Sequence, residues 1–124
     1  MNVSFQGLRT AIYRVADITK AKDWYSKAFN TTPYFDEPFH VGFTIGGYEL
    51  GLQPEEKKVS IKSDNVLVYW GVANVQKEYD RLIAMGAAIH EAPQQVGGDI
   101  VVATVKDPWD NVLGLIYNPD FKVE

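Results

Sequence analysis

The chain has 124 residues, a formal net charge of −4 and no cysteine. That length supports one domain, or two small modules packed together, because a module of about 55–60 residues buries only roughly 60% of its unfolded surface and is marginal alone. The acidic balance and dispersed Lys and Arg argue against a nucleic-acid partner, the lack of thiols excludes disulfides and thiolate chemistry, and no apolar run approaches the ~20 residues of a membrane-spanning helix. The N-terminal stretch MNVSFQGLRT has no apolar core of the kind a secretory signal needs, so a cytoplasmic protein away from membranes is expected.

LRTAIYRV (8–15) alternates as a strand. Asp17 then caps a helix to about Phe29, with Ile18, Ala21, Trp24, Tyr25, Ala28 and Phe29 on one stripe. Residues 33–37 hold a short strand. FHVGFTIG (39–46) and YELGLQP (48–54) are two more, joined at the hairpin signal Gly46-Gly47. The polar stretch PEEKKVSIKSDN (54–65) reads as a linker between modules 8–54 and 63–118 of a single domain. The order then returns: a strand VLVYWGV (66–72), a helix capped by Asn74 and ended near Gly86, a short strand AAIHEAP (87–93) stopped by Pro93, and strands IVVATV (100–105) and NVLGLIY (111–117) around the turn DPWDN.

The two halves are also similar in sequence. Val15, Ala16, Lys20 and Asp23 of RVADITKAKDWY recur as Val72, Ala73, Lys77 and Asp80 of GVANVQKEYDRL, at a constant offset of 57 residues. The expected fold is α+β, with two tandem βαβββ modules. With KDPWDNVLGLI, these motifs resemble the vicinal oxygen chelate superfamily, which includes glyoxalase I, extradiol dioxygenases, fosfomycin-resistance enzymes and bleomycin-resistance proteins. The resemblance spans about residues 8–118, with Asp110 where the family's turn usually has Gly. It implies curved mixed sheets that form a cavity, in which the family's chemistry takes place.

In the metal-dependent members, the ligands lie seven residues before each helix-start residue and seven after the Asp of Asp-Pro. Carried over, these positions are Thr10, Leu67 and Gly114, with Gly51 at the matching place in the first module. Leucine and glycine offer no side-chain donor, and a catalytic divalent metal needs about three ligands. The resemblance therefore implies the fold without its usual metal: no metal ligands, no cofactor and no catalytic residue are assigned.

Strand alternation puts Thr10, Ile12 and Arg14 on the cavity side of the first strand, and Leu67, Tyr69 and Gly71 on that of its repeat. Glu49, Gly51 and Gln53 line one closing strand, and Val112, Gly114 and Ile116 the other. Gly51 and Gly114 either open room for a guest or allow close backbone approach. Arg14 is expected to pair with Glu49, to meet a ligand carboxylate, or to end in water. Trp109 is expected to cap a pocket mouth, meet a partner or fold back on its hairpin. Tyr34, Phe35 and Phe39 suit a lid or dimer contact, and His40 and His90 read as surface residues. The binding set is thus Thr10, Arg14, Glu49, Gly51, Gln53, Leu67, Tyr69, Trp109 and Gly114. The bleomycin-resistance type, which the chain is similar to in length and acidity, implies a homodimer that sequesters a small aromatic or cationic molecule. The alternative is a glyoxalase- or dioxygenase-like enzyme, with its metal moved to Glu49 and His40 or with no metal.

Overall fold

The computed structural model of the chain describes residues 4–57, 62 and 65–121. The chain divides into two units, Met1–Lys58 and Val59–Glu124, with the division inside the stretch read as a linker. The linker positions 58–61, 63 and 64 lie outside the described residues.

Unit 1 contains β1 (Thr10–Val15), α1 (Ile18–Ala28), β2 (Phe35–Glu37), β3 (His40–Ile45) and β4 (Tyr48–Pro54). Unit 2 repeats the order with β5 (Tyr69–Gly71), α2 (Val75–Ala84), β6 (Ala88–Gln95), β7 (Val101–Lys106) and β8 (Val112–Tyr117). Each unit is one mixed sheet, in the order β1-β4-β3-β2 or β5-β8-β7-β6. The first strand of each module runs parallel to the last, and the others are antiparallel. This is the α+β fold of two tandem βαβββ modules.

The duplicated sequence produces duplicated helix ends. Asp17 and Asn74 both sit in extended backbone, and their side chains accept from the amides of Lys20 and Lys77 at 3.1 and 3.0 Å. Each satisfies a backbone donor that the first helical turn leaves open. Both helices close in a Schellman motif. Asn30 (φ 51°) and Gly86 (φ 102°) take the left-handed position. Thr31 and Ala87 donate back to the carbonyls of Ser26 and Leu82.

The helix covers one face of each sheet. In unit 1, Tyr13, Val15, Val41, Phe43, Leu50 and Leu52 point to that face and are buried with Ala21, Tyr25 and Ala28 of α1. Tyr25 is fully buried and stacks between Tyr13 (5.9 Å between ring centroids) and Phe29 (6.0 Å). Burying such side chains is worth about 1.5–3 kcal/mol each. In unit 2 the core is Trp70, Val75, Tyr79, Leu82, Ala103, Val105, Leu113 and Leu115. Alternation leaves the other face of each sheet to carry the candidate residues.

Two strands differ from expectation. β5 pairs with β8 only over Tyr69–Gly71, so Leu67 precedes the strand rather than lying in it. β6 does not stop at Pro93 but continues to Gln95. As the outer strand of its sheet it needs no amide at that position. The register to β7 shifts between Ile89 and Glu91 and again between Glu91 and Gln94, which accommodates the proline.

The turn DPWDN is tightly organised. Asp107, only 2% exposed, accepts from the amides of Trp109 and Asn111 at 2.8 Å each and from the Asn111 side chain at 3.0 Å. Asp110 has φ 67°, the left-handed region that glycine enters without cost. This explains geometrically why Gly would suit that position.

Candidate functional site

The uncovered face of the unit 1 sheet holds a polar cluster built on two glycines. The Gly46-Gly47 hairpin sets Ile45 opposite Tyr48, so Gly42 falls opposite Gly51, next to Ile12 of β1. The Glu49 side chain lies along the sheet over Gly42, and the His40 ring lies over Gly51. A methyl group added to Gly42 would come within 2.5 Å of Glu49 Oε2, and one added to Gly51 within 2.9 Å of His40 Cε1 and 2.8 Å of Ile12 Cδ1. The glycine pair is the floor on which the two side chains lie flat and meet.

They meet with His40 Nε2 at 3.1 Å from Glu49 Oε2. The Tyr34 hydroxyl donates to the same oxygen at 2.6 Å, and the Thr10 hydroxyl donates to Oε1 at 2.6 Å. Gln53 Nε2 lies 3.2 Å from His40 Nδ1 and fixes the far side of the ring. The Glu49 and His40 side chains keep 21% and 18% exposure, so the cluster is sheltered but open to solvent. Burial alone would raise the Glu49 pKa. The hydrogen bonds from Thr10, Tyr34 and His40, with the electrostatic attraction of His40, outweigh that and hold it below the usual 4.5. The Tyr34 phenol is pushed up, first by its bond to Glu49 and then by desolvation and the carboxylate charge. At neutral pH the centre is therefore a fixed carboxylate held by neutral hydroxyls.

Aromatic rings stand beside it. Phe35 lies 5.8 Å from the His40 ring, 6.0 Å from Phe39 and 6.5 Å from Tyr34, centroid to centroid. Tyr34, Phe35 and Phe39 are 64%, 38% and 66% exposed, which is unusual for so much apolar surface in one segment.

Of the expected binding set, Thr10, Glu49, Gly51 and Gln53 come together here. Arg14 is exposed in register with Gln53, and the groups that hold Glu49 are Thr10, Tyr34 and His40 rather than Arg14. Leu67, Tyr69, Trp109 and Gly114 belong to unit 2. There Gly114 repeats the role of Gly51: an added methyl would meet the Val68 carbonyl oxygen at 2.6 Å and Tyr69 Cδ1 at 2.7 Å. Trp109 is half-buried on its hairpin. At both glycines close approach accounts for the residue, since side chains at Gly51, and a backbone oxygen and the Tyr69 ring at Gly114, already fill the space.

Two expectations about histidine are corrected. His40 is a half-buried member of the cluster, and the hairpin register could have revealed this, because a Gly46-Gly47 turn places it opposite Gln53. His90 is also half-buried, with Nδ1 2.7 Å from the buried Thr104 hydroxyl, toward which the β6 bulge turns it. The Tyr34 contact had no such signal, because a loop residue's reach is not encoded in strand register.

The residues at the metal positions implied by the resemblance do not fit a metal. Thr10 offers only a neutral hydroxyl, a poor ligand, Leu67 has no side-chain donor atom, and the space above Gly51 and Gly114 is filled. Among the described residues, no three His, Cys, Asp or Glu side chains form a group able to hold a metal ion. Among the described residues, no helix is long and apolar enough to cross a membrane.

The chain belongs to the Glyoxalase/Bleomycin resistance protein/Dioxygenase superfamily, whose model matches residues 7–115. Among solved structures it is similar to a glyoxalase-related enzyme from Fulvimarina pelagi (16% identity, TM-score 0.79, covering 97% of this chain and 94% of that one). It is also similar to a glyoxalase/bleomycin resistance protein/dioxygenase family enzyme from Burkholderia phytofirmans PsJN (20% identity, TM-score 0.69, 87% and 95% covered). A third similar structure is TioX from Micromonospora sp. ML1 (18% identity, TM-score 0.66, 90% and 98% covered). At these identities the likeness is one of fold. No curated protein matches the chain.

Proposed function

We propose that this protein binds a small aromatic or cationic molecule on the uncovered face of unit 1, without a metal ion. The observation that supports this best is the Glu49 carboxylate, fixed by Thr10, Tyr34 and His40 beside the exposed rings of Tyr34, Phe35 and Phe39. An immobile negative charge next to aromatic surface suits a cation that carries an apolar or aromatic body. Arg14 and Gln53 border the same face. Leu67 and Tyr69, near Gly114, offer apolar side chains within unit 2, and Trp109 stands on that unit's turn. The reading includes a homodimer, checked by sedimentation.

The competing reading is an enzyme with its metal at Glu49 and His40. That pair supplies two ligands where about three are needed. Acid–base catalysis fits poorly too. A general base works best with a pKa near the working pH, whereas the Glu49 pKa is driven the other way. Calorimetric titration with aromatic amines separates the readings. Binding should survive exhaustive chelation and should weaken about tenfold or more in Glu49→Gln. Binding that disappears on chelation and returns with a divalent metal would reverse the conclusion.

A further inference from the structure

The hydrogen bonds already made by Glu49 restrict what else it can accept. A carboxylate offers about four acceptor directions, two on each oxygen. Oε2 uses both of its directions, one for the Tyr34 hydroxyl at 2.6 Å and one for His40 Nε2 at 3.1 Å. Oε1 uses one, for Thr10 at 2.6 Å. A single direction remains, on Oε1. Amidinium and guanidinium groups bind carboxylates best as a two-pronged fork that needs one free direction on each oxygen. Quaternary ammonium groups have no N–H to donate.

We propose that the cluster selects a primary or secondary ammonium group attached to an aromatic or apolar body, accepted through one hydrogen bond at Glu49 Oε1, and discriminates against amidinium, guanidinium and quaternary ammonium groups. Tyr34 is the positioning residue for this choice, because its hydroxyl closes the second prong. The inference rests on the binding function proposed above and deepens it. The Gly42–Gly51 floor matters equally, since it brings Glu49 within reach of both Tyr34 and His40.

The test uses the full chain, isothermal titration calorimetry at neutral pH and four probes: benzylamine, benzamidine, benzyltrimethylammonium and benzyl alcohol. Benzylamine should bind about tenfold more tightly than benzamidine or benzyltrimethylammonium, about the worth of one hydrogen bond to a charged group. Benzyl alcohol should bind most weakly. In Tyr34→Phe, Oε2 regains one direction, and the preference should shift toward benzamidine by about tenfold. In Thr10→Val the freed direction is on Oε1, so Oε2 stays closed and benzamidine should gain nothing. The exposed position of Tyr34 makes Tyr34→Phe benign for folding, which its circular dichroism and thermal midpoint check. If benzamidine or benzyltrimethylammonium matches benzylamine in the unmodified protein, or Tyr34→Phe leaves the ranking unchanged, this inference fails and the binding function stands. If none of the three cations binds, both fail.

Discussion

Glu49 and the glycines around it set the behaviour of the cluster. A carboxyl whose pKa falls on folding stabilises the folded chain above its unfolded pKa, and that contribution is lost as pH drops through the folded value. For Glu49 the loss should begin as pH passes below the usual 4.5 and finish below its own lowered value. Thermal midpoints measured from pH 7 downward should therefore fall more steeply in the unmodified protein than in Glu49→Gln, and parallel curves would count against the bonding described. Gly51 and Gly114 occupy matching places but should respond differently to alanine. The methyl at 114 meets a backbone oxygen at 2.6 Å, which cannot move without shifting the strand, whereas the one at 51 meets the ends of Ile12 and His40. Gly114→Ala should cost about 1–3 kcal/mol in urea unfolding. Gly51→Ala should cost less in stability but should displace His40 and weaken amine binding.

The helices and turns were the elements best foretold by sequence, because their determinants are local. Asp17 and Asn74 announce their caps, Gly86 announces its left-handed stop, and Gly46-Gly47 announces a hairpin whose register carries through to Gln53. What failed depended on surroundings. Pro93 normally ends a strand, yet on an outer strand with two register shifts it does not. The short β5 likewise reflects how far β8 extends to meet it, which VLVYWGV does not state. The Asp107–Asn111 turn offers a direct check. Asp110 is held at φ 67°, where a Cβ is strained. Asp110→Gly should relieve this and raise stability by roughly 0.5–1 kcal/mol. Equilibrium denaturation reads the change, and a loss of stability would show that the aspartate side chain contributes more than its backbone costs.

Across the whole molecule, the architecture is duplicated but the chemistry is not. Thr10, Ile12, Glu49 and Gln53 on the first face correspond to Leu67, Tyr69, Val112 and Ile116 on the second, so the polar side chains of the first copy have apolar counterparts, and the second copy's own polar pair, His90 and Thr104, lies on other strands. The residue types at these repeated positions were legible in the sequence, where Leu67, Gly51 and Gly114 carry no side-chain donor. The polar cluster itself was not, because it depends on side chains running several residues along a sheet, over glycines, to meet a loop tyrosine. Outer strands bring a different hazard, since unsatisfied backbone groups invite another polypeptide to join. In β6 the proline removes one donor, and the shifted register breaks the row into short pieces, so an incoming strand finds no continuous template. Pro93→Val should accordingly leave the chain folded while increasing light scattering at high concentration. This irregular strand would then act as the molecule's guard against sticking to its own kind.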